Sequence, residues 1–413
     1  MKVVFYNHTG KVSGAERMLL TVLTRLNAAE FERVVLCPND GPLAGLVTDT
    51  GARVEMVNDL AARFTVRPDK LLAYAVSSCR VIADLRRKFV SLKPDLIHAN
   101  SIRAGLMATI ATAGLKTRVA WHLHDLLPGH PLSSGIRLLA ALSKRSRMIA
   151  VSEAVGRNFC GKLSPLKQRV EVILNAIDLE SFAPSGLDRE AIRTALAINK
   201  DDFVIGIVGQ LTPRKGQLEL LTAFAEFFKT NPRALLVIVG TAIFDGDQAY
   251  EELLRRQVAQ LGIANRVMML GNRNDVRDVM RAFDALVVNS RREPFGLVAC
   301  EAMACGTPVI ATASDGLPEI VTHQKNGLLV TFGNQAELVQ AMTVLSENSE
   351  LRMRLVANAA RNVAERFAFE RYLNELETFY HQSCDEIFVA KGIVPASGQT
   401  QTSSFSEYYH ERI

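Results

Sequence analysis

Short apolar runs alternate with helical stretches along this chain, and partway through the alternation starts again. The runs Val3–Tyr6, Val34–Leu36, Val54–Val57, Leu96–Ala99, Val119–Leu123, Met148–Val151 and Val170–Leu174 have the length and make-up of buried strands. Helical stretches around Ala15–Leu26, Leu71–Leu92 and Ala104–Ala113 lie between them. Strands joined through helices imply βαβ units and a parallel sheet, because a parallel connection needs a crossover of a dozen or more residues. A second series follows: Phe203–Val208, Leu235–Val239, Val267–Leu270, Ala285–Val288 and Val309–Ala311, interleaved with Gln217–Phe228, Tyr250–Gln260 and Glu337–Leu345. Between the series, Asp178–Asn199 contains Pro184, Ser185 and Gly186 and reads as a linker. The expectation is an α/β chain of two Rossmann-like domains, 1–185 and 186–367, facing a cleft. Ligands of open α/β sheets bind beyond the carboxyl ends of the strands, which makes that cleft the place to look. A helical stretch runs from Phe369 to about Ala390, and the polar tail 391–413 is expected to have little fixed structure.

Composition removes several classes. Of the 413 residues, 48% are apolar and 22% charged, as in a globular protein with sizeable cores. No stretch approaches the ~18–20 apolar residues of a membrane span, and Met1–Asn7 is too short for a secretory signal and reads as a first buried strand. The six cysteines are scattered without C-x-x-C or zinc spacing, and read as unpaired thiols of a reducing cytosol. The net charge of +5 is uneven: residues 1–185 carry a net +10 and the remainder −5. The basic excess gathers in Asp59–Lys93, with Arg63, Arg67, Lys70, Arg80, Arg86, Arg87, Lys88 and Lys93, and again at Lys144, Arg145 and Arg147. An anionic membrane face is one partner such a surface fits, although a charged run is more often a solvated helix face. No nucleic-acid-binding module is recognisable.

The most specific motif is Glu293-Pro294-Phe295-Gly296-Leu297-Val298-Ala299-Cys300-Glu301, which follows a strand and opens a helix. Its two carboxylates bracket a loop and the second turn of that helix. The amides of Phe295, Gly296 and Leu297 fall at a helix N-terminus, where unpaired N–H groups and the dipole favour an anion. Lys215 lies in Gly209-Gln210-Leu211-Thr212-Pro213-Arg214-Lys215-Gly216 just past a strand, placed to neutralise a diphosphate; Arg214 adds a forked donor. His122 and His124 both end the strand Val119–Leu123, and alternation puts them on one side, so pattern does not separate them. Gly14 sits between the first strand and the first helix, where a glycine lets backbone approach a phosphate. There is no G-x-G-x-x-G and no P-loop, against dinucleotide and NTPase readings. Asp245-Gly246-Asp247 has the D-x-D form of a metal-binding pair but falls in a Gly-containing loop and reads as a solvated turn.

The segment continues Ala302-Met303-Ala304-Cys305-Gly306-Thr307-Pro308-Val309, then Gly316-Leu317-Pro318-Glu319 and Asn326-Gly327. With Ser13-Gly14-Ala15-Glu16-Arg17, His124-Asp125, Val151-Ser152-Glu153 and Arg214-Lys215-Gly216, it resembles glycosyltransferase family four, the retaining transferases of the GT-B fold, across most of the chain. The resemblance implies that the C-terminal domain binds a UDP- or GDP-sugar and the N-terminal domain a hydroxyl acceptor, carbohydrate or lipid-linked. A C-terminal helix is expected to cross back onto the N-terminal domain. The resemblance also assigns roles: Glu301 to the ribose hydroxyls, Glu293 to sugar hydroxyls, Lys215 with Arg214 to the diphosphate, and His124 to the transferred sugar. Phe295, Gly296, Leu297 and Gly14 complete the donor contacts. Relatives usually carry Arg where this chain has Gln210, and a glycine where it has Ser13. No metal or other cofactor is expected, and a cytoplasmic enzyme peripheral to the inner membrane face is implied. A nucleotide-sugar epimerase of the same fold and a catalytically silent partner subunit are the rival readings.

Overall fold

The protein is described here by a computed structural model covering residues 1–59, 68–182, 189–242 and 247–385. Seven parallel strands form the first sheet: β1 (Lys2–Tyr6), β2 (Glu32–Cys37), β3 (Arg53–Met56), β4 (Leu96–Ala99), β5 (Arg118–Leu123), β6 (Ser146–Ala150) and β7 (Val170–Val172), in the order 3-2-1-4-5-6-7. Six form the second: β8 (Phe203–Val208), β9 (Ala234–Val239), β10 (Val267–Gly271), β11 (Ala285–Val288), β12 (Val309–Thr312) and β13 (Leu328–Val330), in the order 10-9-8-11-12-13. Residues such as Val3–Phe5, Val34–Cys37 and Leu236–Val239 are buried on successive positions. That continuous burial is what helices on both faces of a parallel sheet demand. In each sheet the strand order reverses once, between β1 and β4 and between β8 and β11. The crevice at such a switch point opens beyond the carboxyl ends of those strands.

The C-terminal helix, Phe369–Cys384, does cross back. Phe369, Tyr372, Leu376, Phe379 and Tyr380 share one buried face, at the spacing of a helical stripe. They pack in one cluster with Val3 and Phe5 of β1, Leu96 of β4 and Ala120 of β5. The Ile177 amide donates to Phe367 O at 2.9 Å where the chain re-enters. A second tie joins the domains. Ser152 Oγ donates to Pro294 O at 2.6 Å, and the Glu319 carboxylate accepts the amides of Glu153 and Ala154 at 2.9 and 2.8 Å. A carboxylate there satisfies amides that a helix start leaves without intrahelical partners.

Several expectations change. β13 was not foreseen, since Leu-Leu-Val after Asn326-Gly327 is too short to show a period. The helices Pro131–Leu142, Glu153–Cys160 and Ser349–Arg366 were likewise not singled out. The described part of the linker is packed rather than loose: Arg193, in the helix Arg189–Ala195, is buried and donates to Ala282 O, Lys200 O and Asp202 O, and pairs with Asp284. Pro184, Ser185 and Gly186 lie outside the described residues, as do Arg63, Arg67, Asp245, Gly246 and the tail 391–413. The basic surface is partly committed within the fold. Arg86 donates to Ala111 O and Ala113 O, Lys88 pairs with Glu55 and Arg87 with Asp84. Arg147 belongs to the C-terminal helix contact, pairing with Glu171 and lying over the Phe379 ring at 4.6 Å. All six cysteines are unpaired, Cys37, Cys160 and Cys300 buried and Cys79 exposed. Among the described residues no helix is long and apolar enough to cross a membrane.

Candidate active site

One cleft of about 1740 Å³ lies between the switch points of the two sheets. His124, Glu293, Lys215, Gly14, Gln210, Arg214, Phe295, Gly296, Leu297 and Glu301 all line it. These residues come from four separate segments, the loops and helix starts after β1, β5, β8 and β11, so only the folded chain brings them together.

On the C-terminal wall, the turn after β8 is laced to the turn after β11. Asn289 Nδ2 donates to Gly216 O at 2.8 Å, and the Arg291 amide to Arg214 O at 2.8 Å. Gly216 has φ +69, and a Cβ there would stand 2.1 Å from Asn289 O, so only glycine permits this approach. The lacing sets Lys215 Nζ 2.6 Å from Glu293 Oε2, to which Ser290 Oγ also donates at 2.7 Å. Burial alone would raise the Glu293 carboxyl. Lys215 and Arg214 beside it outweigh burial and hold it below the usual carboxylate range. Its Oε1 has no protein partner among the described residues.

Glu301 is the fifth residue of the helix Leu297–Ala304. Among the described residues its carboxylate makes no hydrogen bond and no ion pair. Part of the side chain meets solvent, yet both walls crowd it, and that desolvation raises its pKa against the pull of Arg17 and Lys215. Gly296, at φ +115, turns the chain into this helix, and a Cβ there would meet Leu317 Cδ2 at 2.6 Å. The amides of Phe295, Gly296 and Leu297 have no acceptor among the described residues. The Phe295 ring is core, edge-on to Phe367 at 5.7 Å, so its amide alone faces chemistry.

Gln210 does not stand free in the cleft. Its Nε2 donates to Asp247 Oδ2 at 2.6 Å. Asp247 is therefore not a solvated turn residue; it is half-buried and lines the cleft. Arg214 is anchored by its own bond to Arg292 O at 3.1 Å.

On the N-terminal wall a chain of polar side chains fixes the state of His124. Ser13 N and Oγ both donate to Glu16 Oε2, at 3.0 and 2.6 Å. Asn7 Nδ2 donates to Glu16 Oε1 at 3.2 Å, Asn100 Nδ2 to Asn7 Oδ1 at 3.0 Å, and Asn100 Oδ1 lies 3.1 Å from His124 Nε2. A carboxylate only accepts, so each amide must face as placed and His124 carries its proton on Nε2. Burial lowers its pKa to about 3. His124 is thus a neutral imidazole with Nδ1 as a bare acceptor, suited to a sugar hydroxyl and not to proton donation. A Cβ on Gly14 would stand 3.8 Å from Leu297 Cδ1, so this loop faces the opposing helix start. Ser13 is tied up by Glu16.

The structure also separates His122 from His124. His122 is buried, its Nδ1 3.1 Å from His98 Nε2, and Tyr380 OH of the C-terminal helix lies 2.8 Å from His98 Nδ1. His122 and His98 are second-row supports under His124, whose ring centroid is 3.9 Å from that of His122. Asn100, Ser101, Arg103, Asp125 and His8 also line the cleft. The sequence reading did not single out Asn100, Ser101, Arg103 or His8 as site residues, and it noted Asp125 only beside His124. Their shared signal is position one to four residues past the end of β1, β4 or β5.

This histidine stack is expected to make the fold acid-sensitive. Burial first, and like-charged neighbours second, push His98 to about 3 and His122 well below its ordinary 6.5. The unfolded chain binds protons there below about pH 6.5 that the native state refuses, so stability falls as pH falls from 6.5 toward 3. Each such imidazole contributes up to ~1.4 kcal/mol per pH unit. Urea unfolding from about pH 7.5 to about pH 5.5 is expected to show a falling midpoint, with His98→Gln giving a shallower fall. An unchanged midpoint would mean these rings are charged in the native state.

Two parallel-sheet domains with a shared cleft and a returning C-terminal helix define the GT-B class. Comparison with known proteins narrows it. Residues 12–181 match Glycosyltransferase Family 4, and residues 188–362 match Glycosyl transferases group 1. D-inositol 3-phosphate glycosyltransferase of Stackebrandtia nassauensis is 34% identical over 326 residues, covering 73% of this chain and 71% of that protein. Four further relatives of the same name match over 45% to 59% of their own length, and a fifth over 72%. An Escherichia coli UDP-Gal:alpha-D-GlcNAc-diphosphoundecaprenol alpha-1,3-galactosyltransferase is 23% identical over 89% of this chain and 94% of its own. Among solved structures, Anabaena HepE in complex with UDP-glucose superimposes with a TM-score of 0.79 at 30% identity, covering 92% of this chain and 100% of that one. The chain belongs to glycosyltransferase family 4.

Proposed function

We propose that the protein moves a hexose-type sugar from a UDP- or GDP-sugar to a hydroxyl acceptor with retention of anomeric configuration. One observation carries the reading. The Lys215–Glu293 pair, the unpartnered Glu301 and three unengaged amides at the start of one helix line a single cleft. That arrangement offers a cation and N–H donors for a diphosphate, and carboxylate oxygens for sugar and ribose hydroxyls. The HepE likeness, bound to UDP-glucose, supports this donor class. In this reading the leaving diphosphate is held by Lys215, Arg214 and the helix amides. Glu293 and His124 orient the sugar from opposite walls, and departure and attack occur on the same face.

The named relatives act on D-inositol 3-phosphate and on a diphosphoundecaprenol-linked sugar. Both support a hydroxyl acceptor seated on the N-terminal wall, a lipid-linked glycan among them. A cytoplasmic enzyme touching an anionic membrane face fits the exposed Leu132, Leu138 and Leu142 beside Lys144 and Arg145. Thermal unfolding with UDP-glucose, GDP-mannose and other nucleotide sugars tests the donor: the true one at ~100 times its dissociation constant adds about 2.7 kcal/mol. No stabilisation by any of them would sink the reading, and NMR of the product anomeric proton tests retention.

Metal independence is part of the same proposal. Lys215 and the amides take the place an ion would hold, and Asp247 is engaged by Gln210. Turnover is expected to survive exhaustive EDTA treatment. Complete loss, restored by manganese, would move Asp247 and its loop into the chemistry.

A further inference from the structure

The N-terminal wall carries a further set of polar groups, apart from the Lys215 and helix-start amides of the C-terminal wall. His8 follows β1, while Ser101 and Arg103 stand at the start of the helix Ile102–Ala111 after β4, and all three line the cleft. Ser101 Oγ accepts the Ala104 amide at 3.0 Å and lies 2.9 Å from His8 Nδ1. His8 Nε2 has no partner among the described residues. Burial first, then the field of Arg103, lowers its pKa to about 4, leaving a neutral imidazole. Arg103 is half-buried, and among the described residues its guanidinium makes no hydrogen bond and no ion pair.

Among the described residues no carboxylate of this wall pairs with Arg103. Asp40 accepts from Thr9 Oγ1 at 3.2 Å and from the Gly10 amide. Glu16 is held by Ser13 and Asn7. Asp125 feels the Arg103 charge but is not within ion-pair distance of it. A partly desolvated guanidinium without a partner is costly, and its planar fork matches the oxygens of phosphate. The donor diphosphate has its own cation and amides on the opposite wall.

We propose that Arg103, with the His8 imidazole beside it, binds a phosphate group carried by the acceptor, holding the acceptor hydroxyl toward Asp125 and the sugar. This rests on the reading that the nucleotide sugar occupies the C-terminal wall. The source is either a soluble phosphate ester or a lipid-linked phosphate, and the test separates them.

Calorimetric titration with UDP comes first, on the full chain. With UDP saturating, glucose 1-phosphate, methyl glucoside, and undecaprenyl phosphate in neutral-lipid vesicles are then titrated. Binding of either phosphate probe but not of methyl glucoside is expected, the responding probe naming the source. Arg103→Ala is expected to weaken that binding about tenfold to a hundredfold, Arg103→Lys to recover part of it, and UDP affinity to stay unchanged in both. The proposal is overturned if neither phosphate probe binds the UDP complex, if UDP displaces them, or if Arg103→Ala binds them as the parent does. Failure of UDP itself to bind would instead sink the donor assignment, and phosphate-probe binding to the UDP-free protein and to Arg103→Ala would still decide the role of Arg103.

Discussion

Lys215→Ala is expected to lower kcat/KM by about 10²- to 10³-fold, the range seen when one preorganised group is removed from developing charge. Two effects combine. The leaving diphosphate loses its nearest ammonium, and Glu293 loses the partner at 2.6 Å that does most to oppose its burial. With Lys215 gone, only Arg214 and the Ser290 hydrogen bond oppose the desolvation of Glu293, so its pKa should rise. The acid limb of the kcat/KM profile should then move to higher pH. Glu293→Gln added to Lys215→Ala should cost much less than the sum of the single changes, because the two side chains act as a unit. Arg214 supplies the comparison. If it stands in for the arginine that relatives carry at Gln210, Arg214→Ala costs on the order of 1.5–3 kcal/mol in kcat/KM. An unchanged Arg214→Ala beside an inactive Lys215→Ala would make Arg214 a bystander and leave Lys215 as the diphosphate cation.

The regular part of this fold was legible because buried parallel strands write themselves as apolar runs. Phe203–Val208, Leu96–Ala99 and Ala285–Val288 appear with the bounds their composition suggests. Segments whose burial depends on distant partners were not. The Pro131–Leu142 helix keeps several leucines exposed, so its apolar content suggests no clear face. The packing of Arg193 against Ala282 and Asp284 is invisible in a stretch that reads as linker. At the site, the Glu293–Glu301 spacing and the helix start between them are local, and local pattern finds them. Contacts between loops are not local. Lys215 meets Glu293 across 78 positions, and Ser101 meets His8 across 93. His122 and His124 share one side of their strand in sequence; only the neighbouring His98 and Asn100 send one into the core and one to the cleft.

Glu301 and Glu293 are expected to fail in different ways. Glu301 stands one turn into its helix with no protein partner among the described residues, and both oxygens are available to a pair of ribose hydroxyls. That contact is the same in the bound donor and in the transition state, so its loss is a loss of uniform binding. Glu301→Gln should raise the donor KM and leave kcat near its starting value. The carboxylate is also held above its ordinary pKa by the crowding of the cleft, so donor affinity should weaken as pH falls and this group takes a proton. In the Gln variant that acid weakening should be reduced. Glu293 is bound differently. Its Oε2 is occupied by Lys215 and Ser290, leaving Oε1 for the sugar whose anomeric carbon reacts. A fixed negative charge there gains as positive charge grows on the ring, and it also holds Lys215 for the leaving group. Glu293→Gln should therefore lower kcat by 10²-fold or more with little change in donor Kd. Measuring kcat and donor Kd separately for both variants decides the matter. Swapped phenotypes would reverse the two roles, and near-parent kinetics in both would make them structural residues and remove the basis for the proposed donor site.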